Sequence, residues 1–157
     1  MEIIAALCLL GVIDRQTRDC DVLYPDLNQD ILEAVKEFAE QSRRDGIALD
    51  DKWLNNGPSS LSTLLPSGWL ERVASIFQGR SIHIQSLCRS DLLLSKLFAL
   101  CDRGTDIGDC LALRPTEKEL DDSIPWIIEQ DGNPMWPQHV QDTVSDLRKR
   151  LFDVVPS

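Results

Sequence analysis

The sequence predicts an α+β protein, with a small mixed sheet in the N-terminal half (about residues 1–88) and helices through the C-terminal half (about residues 89–157). Two observations carry this prediction. Short apolar runs bounded by turn signals dominate the first half, whereas capped segments with apolar residues at helical spacing dominate the second. No repeat, low-complexity tract or internal linker interrupts the 157 residues, so we expect a single domain.

Composition narrows the class of protein. Hydrophobic residues make up 43% of the chain and charged residues 27%, as in a folded soluble protein. The net charge of −10 argues against an extensive nucleic-acid surface, which needs a basic face. The five cysteines are odd in number, lack metal-ligand spacing and lie in or beside apolar runs. They predict buried thiols in a reducing cytoplasm, at Cys8, Cys20, Cys88, Cys101 and Cys110.

The apolar start "MEIIAALCLLGVI" predicts a buried helix over Met1–Leu10, ended by Gly11. A signal peptide is not expected, because the stretch has no basic region and carries Glu2. The stretch is also too short to span a bilayer, so we expect no contact with a membrane.

A strand and a helix follow. Cys20–Tyr24 predicts a short strand closed by Pro25. Asn28 is the expected N-cap of the helix "QDILEAVKEFAEQSRR", and Gly46 marks its end. The apolar stripe of this helix consists of Ile31, Leu32, Val35, Phe38 and Ala39.

The rest of the N-terminal half predicts a loop and a hairpin. The segment "DDKWLNNGPSS" is rich in turn residues, and Trp53 and Leu54 should anchor it to the core. The runs "RVASIFQ" and "SIHIQSL" should form two strands joined at Gly79–Arg80.

Four helices are expected in the C-terminal half. Ser90 caps the apolar "DLLLSKLFALC", and a short helix covers Asp106–Leu113. Thr116 caps "EKELDDSIPWIIEQ", where Pro125 should kink or split the helix. After a turn, "NPMWPQHV", an amphipathic helix covers Val140–Leu151 and ends in basic residues that favour its dipole.

Asp19 and Asp21 are two residues apart on the predicted strand. Alternate side chains of a strand point to the same face, so the two carboxylates should project together. Paired carboxylates repel unless a cation lies between them, and hard oxygen ligands suit Mg²⁺. The alternative is two acids at the polar entrance of an ordinary strand.

Lys96 lies within the apolar face of its helix and precedes Arg103, Asp106 and Asp109. A lysine in this setting extends to the rim of the core or reaches a carboxylate or phosphate. Two interpretations remain open, a salt-bridge cluster joining two helices and a substrate-binding site. The apolar face itself consists of Leu92, Leu93, Leu97 and Leu100.

Other chemistry-bearing residues give weaker signals. His83 alternates with two isoleucines and so lies on the opposite strand face, and His139 is expected to be a solvated surface histidine. The sequence shows no Ser–His–Asp or Cys–His arrangement. It also shows no glycine-rich loop of the kind that binds phosphate.

Three stretches together resemble a family of uncharacterised bacterial nucleotidyltransferase-fold proteins, distant relatives of the toxin nucleotidyltransferases of abortive-infection systems. The first is "R-x-T-x-D-x-D-V-L-x-P", followed by an amphipathic helix and "WLNNGP". The second is "DLLLSKLFAL…DRGTDIGDCLAL", and the third is "RPTEKEL…WIIEQDGNPMWPQHV…LRKRL". The resemblance covers nearly the whole chain and depends on order and spacing more than on any single motif.

The resemblance implies a polymerase-β-like core. There, paired strand carboxylates hold Mg²⁺ against a nucleoside triphosphate while an acceptor hydroxyl attacks the α-phosphate. Asp19 and Asp21 match the metal-binding pair, and Lys96 matches a lysine that contacts phosphate or acceptor. The remaining substrate-binding positions that the resemblance implies are Arg15, Thr17, Arg103, Asp106 and Asp109.

The sequence also departs from this family. The glycine pair that meets the triphosphate should fall near Ile3–Ile4, and we expect the strand that normally precedes this pair to be missing. The third metal carboxylate is absent from "SIHIQSL", which offers His83 and Gln85 instead.

Two functions are therefore expected from the sequence. One is Mg²⁺-dependent transfer of a nucleotide to an unknown acceptor, as the toxin of a toxin–antitoxin pair. The other is a catalytically degenerate binding or interaction module. A protein partner or a second copy of the chain could complete the missing strand.

Overall fold

The computed structural model describes residues 2–5, 20–57, 61–80 and 83–153. The chain divides into two compact units, Met1–Cys88 and Arg89–Ser157, and the predicted α+β class is confirmed. In chain order the elements are β1 (Glu2–Ala5), β2 (Cys20–Asp21), α1 (Gln29–Arg44), β3 (Leu54–Asn55), α2 (Leu61–Leu64), a 3₁₀ helix (Trp69–Glu71), β4 (Ala74–Gln78), β5 (His83–Ser86), α3 (Arg89–Arg103), α4 (Ile107–Leu113), α5 (Glu117–Glu129) and α6 (Trp136–Phe152).

A three-stranded sheet in the first unit has the order β1–β5–β4. β1 pairs in parallel with β5, from Glu2 opposite His83 to Ala5 opposite Ser86. The expected helix over Met1–Leu10 is therefore wrong for Glu2–Ala5, and the rest of that segment lies outside the described residues. The β-branched Ile3 and Ile4 suit a strand once β5 supplies hydrogen-bond partners.

The predicted hairpin of β4 and β5 is confirmed. The two strands pair antiparallel, with Ala74 opposite Ser86 and Gln78 opposite His83. The register shifts between Ser75 and Phe77, which marks an irregularity in β4.

Helix α1 begins and ends where the sequence predicts. The Asn28 side chain accepts a hydrogen bond from the Ile31 N–H at 3.0 Å, and Gly46 follows with φ +85°. The apolar stripe holds for Val35 and Ala39, which are buried, but Phe38 is 57% exposed. The Phe38 ring packs instead against Trp53, with ring centroids 5.6 Å apart.

A second, two-stranded sheet joins the polar strand to the turn-rich segment. β2 pairs in parallel with β3, Cys20 opposite Leu54 and Asp21 opposite Asn55. Regular strand structure is shorter than the expected Cys20–Tyr24, and β3 was not predicted. The Trp53 anchor is confirmed, since its indole N–H donates to the Val35 carbonyl at 3.1 Å.

A small core holds this ladder against α1. Val22 and Leu27 are its buried members. The partly buried side chains that pack on them are Ile31, Leu32 and Leu54. Leu54 is thus the second confirmed anchor of the turn-rich segment.

The second unit consists of α3 to α6. α3 packs against α4, α5 and α6, and α6 also packs against α4 and α5. The predicted apolar face of α3 is confirmed as buried, at Leu92, Leu93, Leu97 and Leu100. α3 begins at Arg89, so Ser90 lies inside the helix and does not cap it.

Two proline-containing helices in this unit differ from expectation. Thr116 caps α5 through a reciprocal capping box with Glu119, but α5 runs through Pro125 as a single helix and is not split. α6 begins at Trp136 because Pro137 suits the first turn of a helix, so the turn predicted for "NPMWPQHV" is shorter than expected. Among the described residues, no helix combines the length and apolarity needed to cross a membrane.

Candidate functional site

The structure places the predicted site residues in separate parts of the chain. Arg15, Thr17 and Asp19 lie outside the described residues. Asp21 is the last residue of β2, in the first unit. The remaining predicted residues belong to the second unit and are Lys96, Arg103, Asp106 and Asp109.

Asp21 is half-buried and lies opposite Asn55 in the parallel ladder. The next N–H along the chain, that of Val22, donates to the Asn55 carbonyl at 2.7 Å. Residues paired in a parallel ladder project their side chains to the same face of the sheet. The Asp21 carboxylate and the Asn55 carboxamide therefore share one face.

Gly57 brings the backbone close to this face. A Cβ placed on Gly57 would lie 2.6 Å from Asn55 Oδ1 and 3.5 Å from Asp21 Oδ1. The Gly57 N–H donates to Asn55 Oδ1 at 2.5 Å, and Asn55 Nδ2 donates to the Lys52 carbonyl at 3.3 Å. These contacts hold the Asn55 carboxamide between two backbone groups.

Asn56 fixes the segment that follows Asp21. Its Oδ1 accepts the Leu27 N–H at 2.7 Å, and its Nδ2 donates to the Val22 carbonyl at 2.9 Å and the Pro25 carbonyl at 3.2 Å. One side chain thus satisfies three backbone groups of residues 22–27, which would otherwise lack partners in a short irregular loop.

Lys96 binds two carboxylates at once. Its Nζ lies 2.9 Å from Asp106 Oδ1 and 2.7 Å from Asp109 Oδ2. The three side chains are only 14–21% exposed. Arg103 adds a longer contact of 3.3 Å to Asp106, and Thr105 Oγ1 donates to the same carboxylate at 2.9 Å. Of the two interpretations of Lys96, the contacts are those of the salt-bridge cluster, joining α3 to α4.

The backbone between α3 and α4 explains how the cluster is formed. Gly104, just after α3, has φ +68°, a value that glycine adopts without strain. Asp106 has φ +59°, which is uncommon for a residue with a side chain but tolerated by aspartate. The hydrogen bonds to Lys96 and Thr105 hold the Asp106 side chain in this position.

Lys96 and Asp106 keep their charges across the neutral range. Burial by itself lowers the pKa of Lys96, but hydrogen bonds to Asp109 and Asp106 outweigh it, so the pKa lies above its ordinary value. Burial likewise raises the pKa of Asp106, but the Lys96 ammonium and the Thr105 hydroxyl lower it below the ordinary value. Lys96 therefore remains an ammonium and is not poised to exchange protons at neutral pH.

Cys101 and Cys110 are not activated nucleophiles. Burial raises the pKa of Cys101 to about 11 and that of Cys110 to about 12, which keeps both thiols protonated. The expected role as buried thiols is confirmed for these two, whereas Cys20 and Cys88 are half-buried and Cys8 lies outside the described residues.

The two histidines are both engaged with neighbours. His83 Nε2 lies 2.9 Å from Ser75 Oγ. His139 is exposed as expected, yet its Nε2 donates to the Cys101 carbonyl at 2.8 Å and its ring lies 5.7 Å from that of Trp136. It also lines an open groove of about 410 Å³ beside α6.

Donor chemistry for a metal ion fits Asp21 better than the lysine cluster. Asp21 offers a hard carboxylate oxygen on a face that an added Cβ at Gly57 would crowd. Between Asp106 and Asp109 the cation is already the Lys96 ammonium. In the part of the chain that the structure describes, no group of three or more His, Cys, Asp or Glu side chains could hold a metal.

Sequence reasoning missed the asparagine and glycine neighbours of Asp21. The "NNG" within "DDKWLNNGPSS" indicates a turn, so the sequence predicts packing only for Trp53 and Leu54 in this segment. The available signal was the pair of amide side chains directly after the two anchors, Trp53 and Leu54. It does not reveal which strand the segment pairs with.

Comparison with known proteins places the chain in a family. Residues 4–115, from β1 to the end of α4, match the model of a family described as a nucleotidyltransferase of unknown function. The matched range includes both the Asp21 face and the Lys96 cluster. Neither curated proteins nor solved structures gave a significant match. The chain therefore belongs to this family of nucleotidyltransferases of unknown function, DUF6036.

Proposed function

We propose that the protein transfers a nucleotide from a nucleoside triphosphate to an acceptor hydroxyl in a Mg²⁺-dependent reaction. The family assignment supports nucleotidyl transfer. The observation that carries the metal role is the position of Asp21, at the end of β2 beside the Asn55 carboxamide and the close backbone of Gly57. Asp19, on the same predicted strand face, is the second proposed ligand.

The proposed chemistry is a substitution at the α-phosphorus. The acceptor oxygen forms a bond to this phosphorus, the bond to the bridging oxygen of the leaving group breaks, pyrophosphate leaves, and the acceptor proton passes to water. Mg²⁺, when bound, supplies charge neutralisation for the phosphates. Asp21 would hold and orient the ion, a role that needs an ionised carboxylate fixed by the fold.

The other predicted residues enter the proposal through the resemblance alone. Arg15 and Thr17 would contact substrate, as would Arg103 with its neighbours Asp106 and Asp109. Lys96 would contact phosphate or acceptor. Lys96 Nζ carries three N–H donors, and two of them serve Asp106 and Asp109, so such a contact would use the third. A phosphate, as an anion with several acceptor oxygens, is chemically suited to accept it.

The test of the proposed function is transfer of label from each of the four α-labelled nucleoside triphosphates to RNA or protein acceptors with Mg²⁺. Asp21→Asn should lower the rate at least about 100-fold, the scale seen when one preorganised electrostatic group is removed. The matched control is Asp26→Asn, an exposed acid of the same unit, which should leave the rate unchanged. Equal rates for Asp21→Asn and the natural protein would contradict the metal role.

The toxin role has a separate test in living cells. Expression of an active toxin should arrest bacterial growth, and Asp21→Asn should relieve the arrest at equal protein level. Growth arrest that persists in Asp21→Asn would argue against toxicity through nucleotidyl transfer.

A second candidate function is a degenerate nucleotidyltransferase-fold module that binds a partner without transfer. The observation that favours it is the engagement of Lys96 with Asp106 and Asp109, which supports a structural role for this part of the predicted site. Such a module should show no thermal shift with Mg²⁺ and ATP or GTP, whereas a shift of several degrees argues against it. Light scattering after size exclusion tests a complex with a second copy.

A further inference from the structure

We infer that Asn55 and Gly57 are positioning residues for the carboxylate of Asp21, an inference that rests on the proposed metal-binding role of Asp21. Asn55 lies opposite Asp21 in the ladder, and Gly57 comes within reach of both side chains. The three residues form a group that we call the Asp21 face. The "NNG" turn thereby becomes part of the proposed active site.

Gly57 is required for the shape of the Asp21 face. A Cβ at this position would lie 2.6 Å from Asn55 Oδ1, closer than real Cβ atoms approach, so the carboxamide would have to move. The same Cβ would lie in van der Waals contact with Asp21 Oδ1, at 3.5 Å. A methyl group there would cover one side of the carboxylate oxygen with an apolar surface, which we expect to weaken the binding of a cation.

Asn55 is held in one orientation by its own hydrogen bonds. Its Oδ1 accepts the Gly57 N–H and its Nδ2 donates to the Lys52 carbonyl. Because the carboxamide is anchored at both ends, the surface beside Asp21 is preorganised. Neighbours that orient a metal ligand without binding the metal typically change metal affinity by about 10- to 100-fold when they are removed.

The substitution Gly57→Ala should be compatible with folding. The obstructing atom, Asn55 Oδ1, is the far end of a side chain, which would give up its hydrogen bond to the Gly57 N–H and rotate away. The segment remains fixed by Asn56, whose three hydrogen bonds to residues 22–27 do not involve Gly57. The expected defect is therefore in metal binding and not in assembly of the fold.

The experiment measures Mn²⁺ affinity of the full chain by the electron paramagnetic resonance signal of the free ion, since Mn²⁺ shares the oxygen preference of Mg²⁺. Gly57→Ala and Asn55→Ala should each weaken binding about 10- to 100-fold. The control is Gly132→Ala, where an added Cβ meets no atom within 4 Å, and it should bind as the natural protein does. Thermal midpoints without metal report folding separately.

The double variant Asn55→Ala/Gly57→Ala guards against a folding defect in Gly57→Ala. Removing the carboxamide removes the 2.6 Å conflict, so the double variant should fold even if Gly57→Ala does not, yet still bind Mn²⁺ weakly because the methyl remains against Asp21. Natural-type affinity in Asn55→Ala and in a folded Gly57 variant would overturn the inference while leaving the proposed function intact. Absence of Mn²⁺ binding to the natural protein would instead overturn the proposed function.

Discussion

The groups that surround the carboxylates differ between the two units of the molecule. In the second unit, Asp106 and Asp109 share the ammonium of Lys96 within a network of short contacts. In the first unit, Asp21 ends a two-residue ladder and faces an amide side chain and a close glycine backbone.

This difference separates stability from proposed activity. A carboxylate neutralised by an ammonium of its own chain contributes to the fold, and breaking the pair leaves a poorly solvated charge. In the proposed role, the Asp21 carboxylate binds an external cation beside the Asn55 carboxamide and the Gly57 backbone. We therefore expect changes to the lysine cluster to alter stability first, and changes to the Asp21 face to alter metal-linked behaviour first.

Replacement of Lys96 by methionine should have the largest effect on stability. Two carboxylates at 16% and 14% exposure would lose their shared cation, so we expect the free energy of unfolding to fall by about 2–3 kcal/mol. Denaturant titration at neutral pH measures this. The control is Lys118→Met, which removes a lysine that pairs with Asp122 on the surface. If both variants lost a similar free energy of unfolding, the half-buried lysine cluster would contribute no more to stability than a surface ion pair.

Mg²⁺ should stabilise the natural protein through the Asp21 face. At a concentration of 100 times the dissociation constant, one bound ion adds about 2.7 kcal/mol to the free energy of unfolding. Asp21→Asn should abolish this increment, and Lys96→Met should retain it in a protein of lower stability. Thermal unfolding with and without the ion measures both. If Lys96→Met lost the stabilisation by Mg²⁺ and Asp21→Asn kept it, the ion would bind at the lysine cluster and not at the Asp21 face.

Acid should weaken the lysine cluster as the Asp106 carboxylate becomes protonated. The folded pKa of Asp106 lies below its ordinary value of 3.8, so its contribution is present above that value and is lost as pH falls through the folded pKa. The raised pKa of Lys96 means that its contribution persists at neutral pH and is lost only as pH rises through the folded pKa, above 10.5. Asp106→Asn should cost about 1–2 kcal/mol at pH 7 and show a smaller loss than the natural protein as pH falls below 3.8. Parallel acid profiles for the two proteins would contradict this.

Asp21→Asn should have the smallest effect on stability when no metal is added. The side chain is half-buried at the end of a short ladder, and Asn has nearly the same shape as Asp and can still hydrogen-bond, so we expect a change within about 0.5 kcal/mol. Chemical denaturation in the presence of a chelator measures it. A loss above about 2 kcal/mol would show that Asp21 serves the fold as the lysine cluster does.

Local signals in the sequence predicted the helices well because caps act within one turn. Asn28 and Thr116 cap α1 and α5 as expected, since each side chain needs only the N–H three residues ahead. The hairpin of β4 and β5 was predicted equally well, because its strands are neighbours along the chain. The apolar face of α3 followed from helical spacing alone.

Local signals in the sequence did not predict the parallel pairing of strands. Glu2–Ala5 pairs with β5, and β2 pairs with β3, across long separations in sequence that leave no local trace. An apolar run such as "EIIA" fits a buried helix and a buried strand equally well until its hydrogen-bond partners are known. The helix expected at the start of the chain was wrong for this reason.

The sequence by itself determined the α+β class, the capped helices, the hairpin and the presence of a lysine inside an apolar helix face. Only the tertiary structure decided that Lys96 binds both Asp106 and Asp109, and that Asn55 and Gly57 border Asp21. The reason is physical. Caps and periodicity depend on residues within a turn or two of each other, whereas the partner of a charge or of a strand edge depends on which distant segment the folded chain brings alongside.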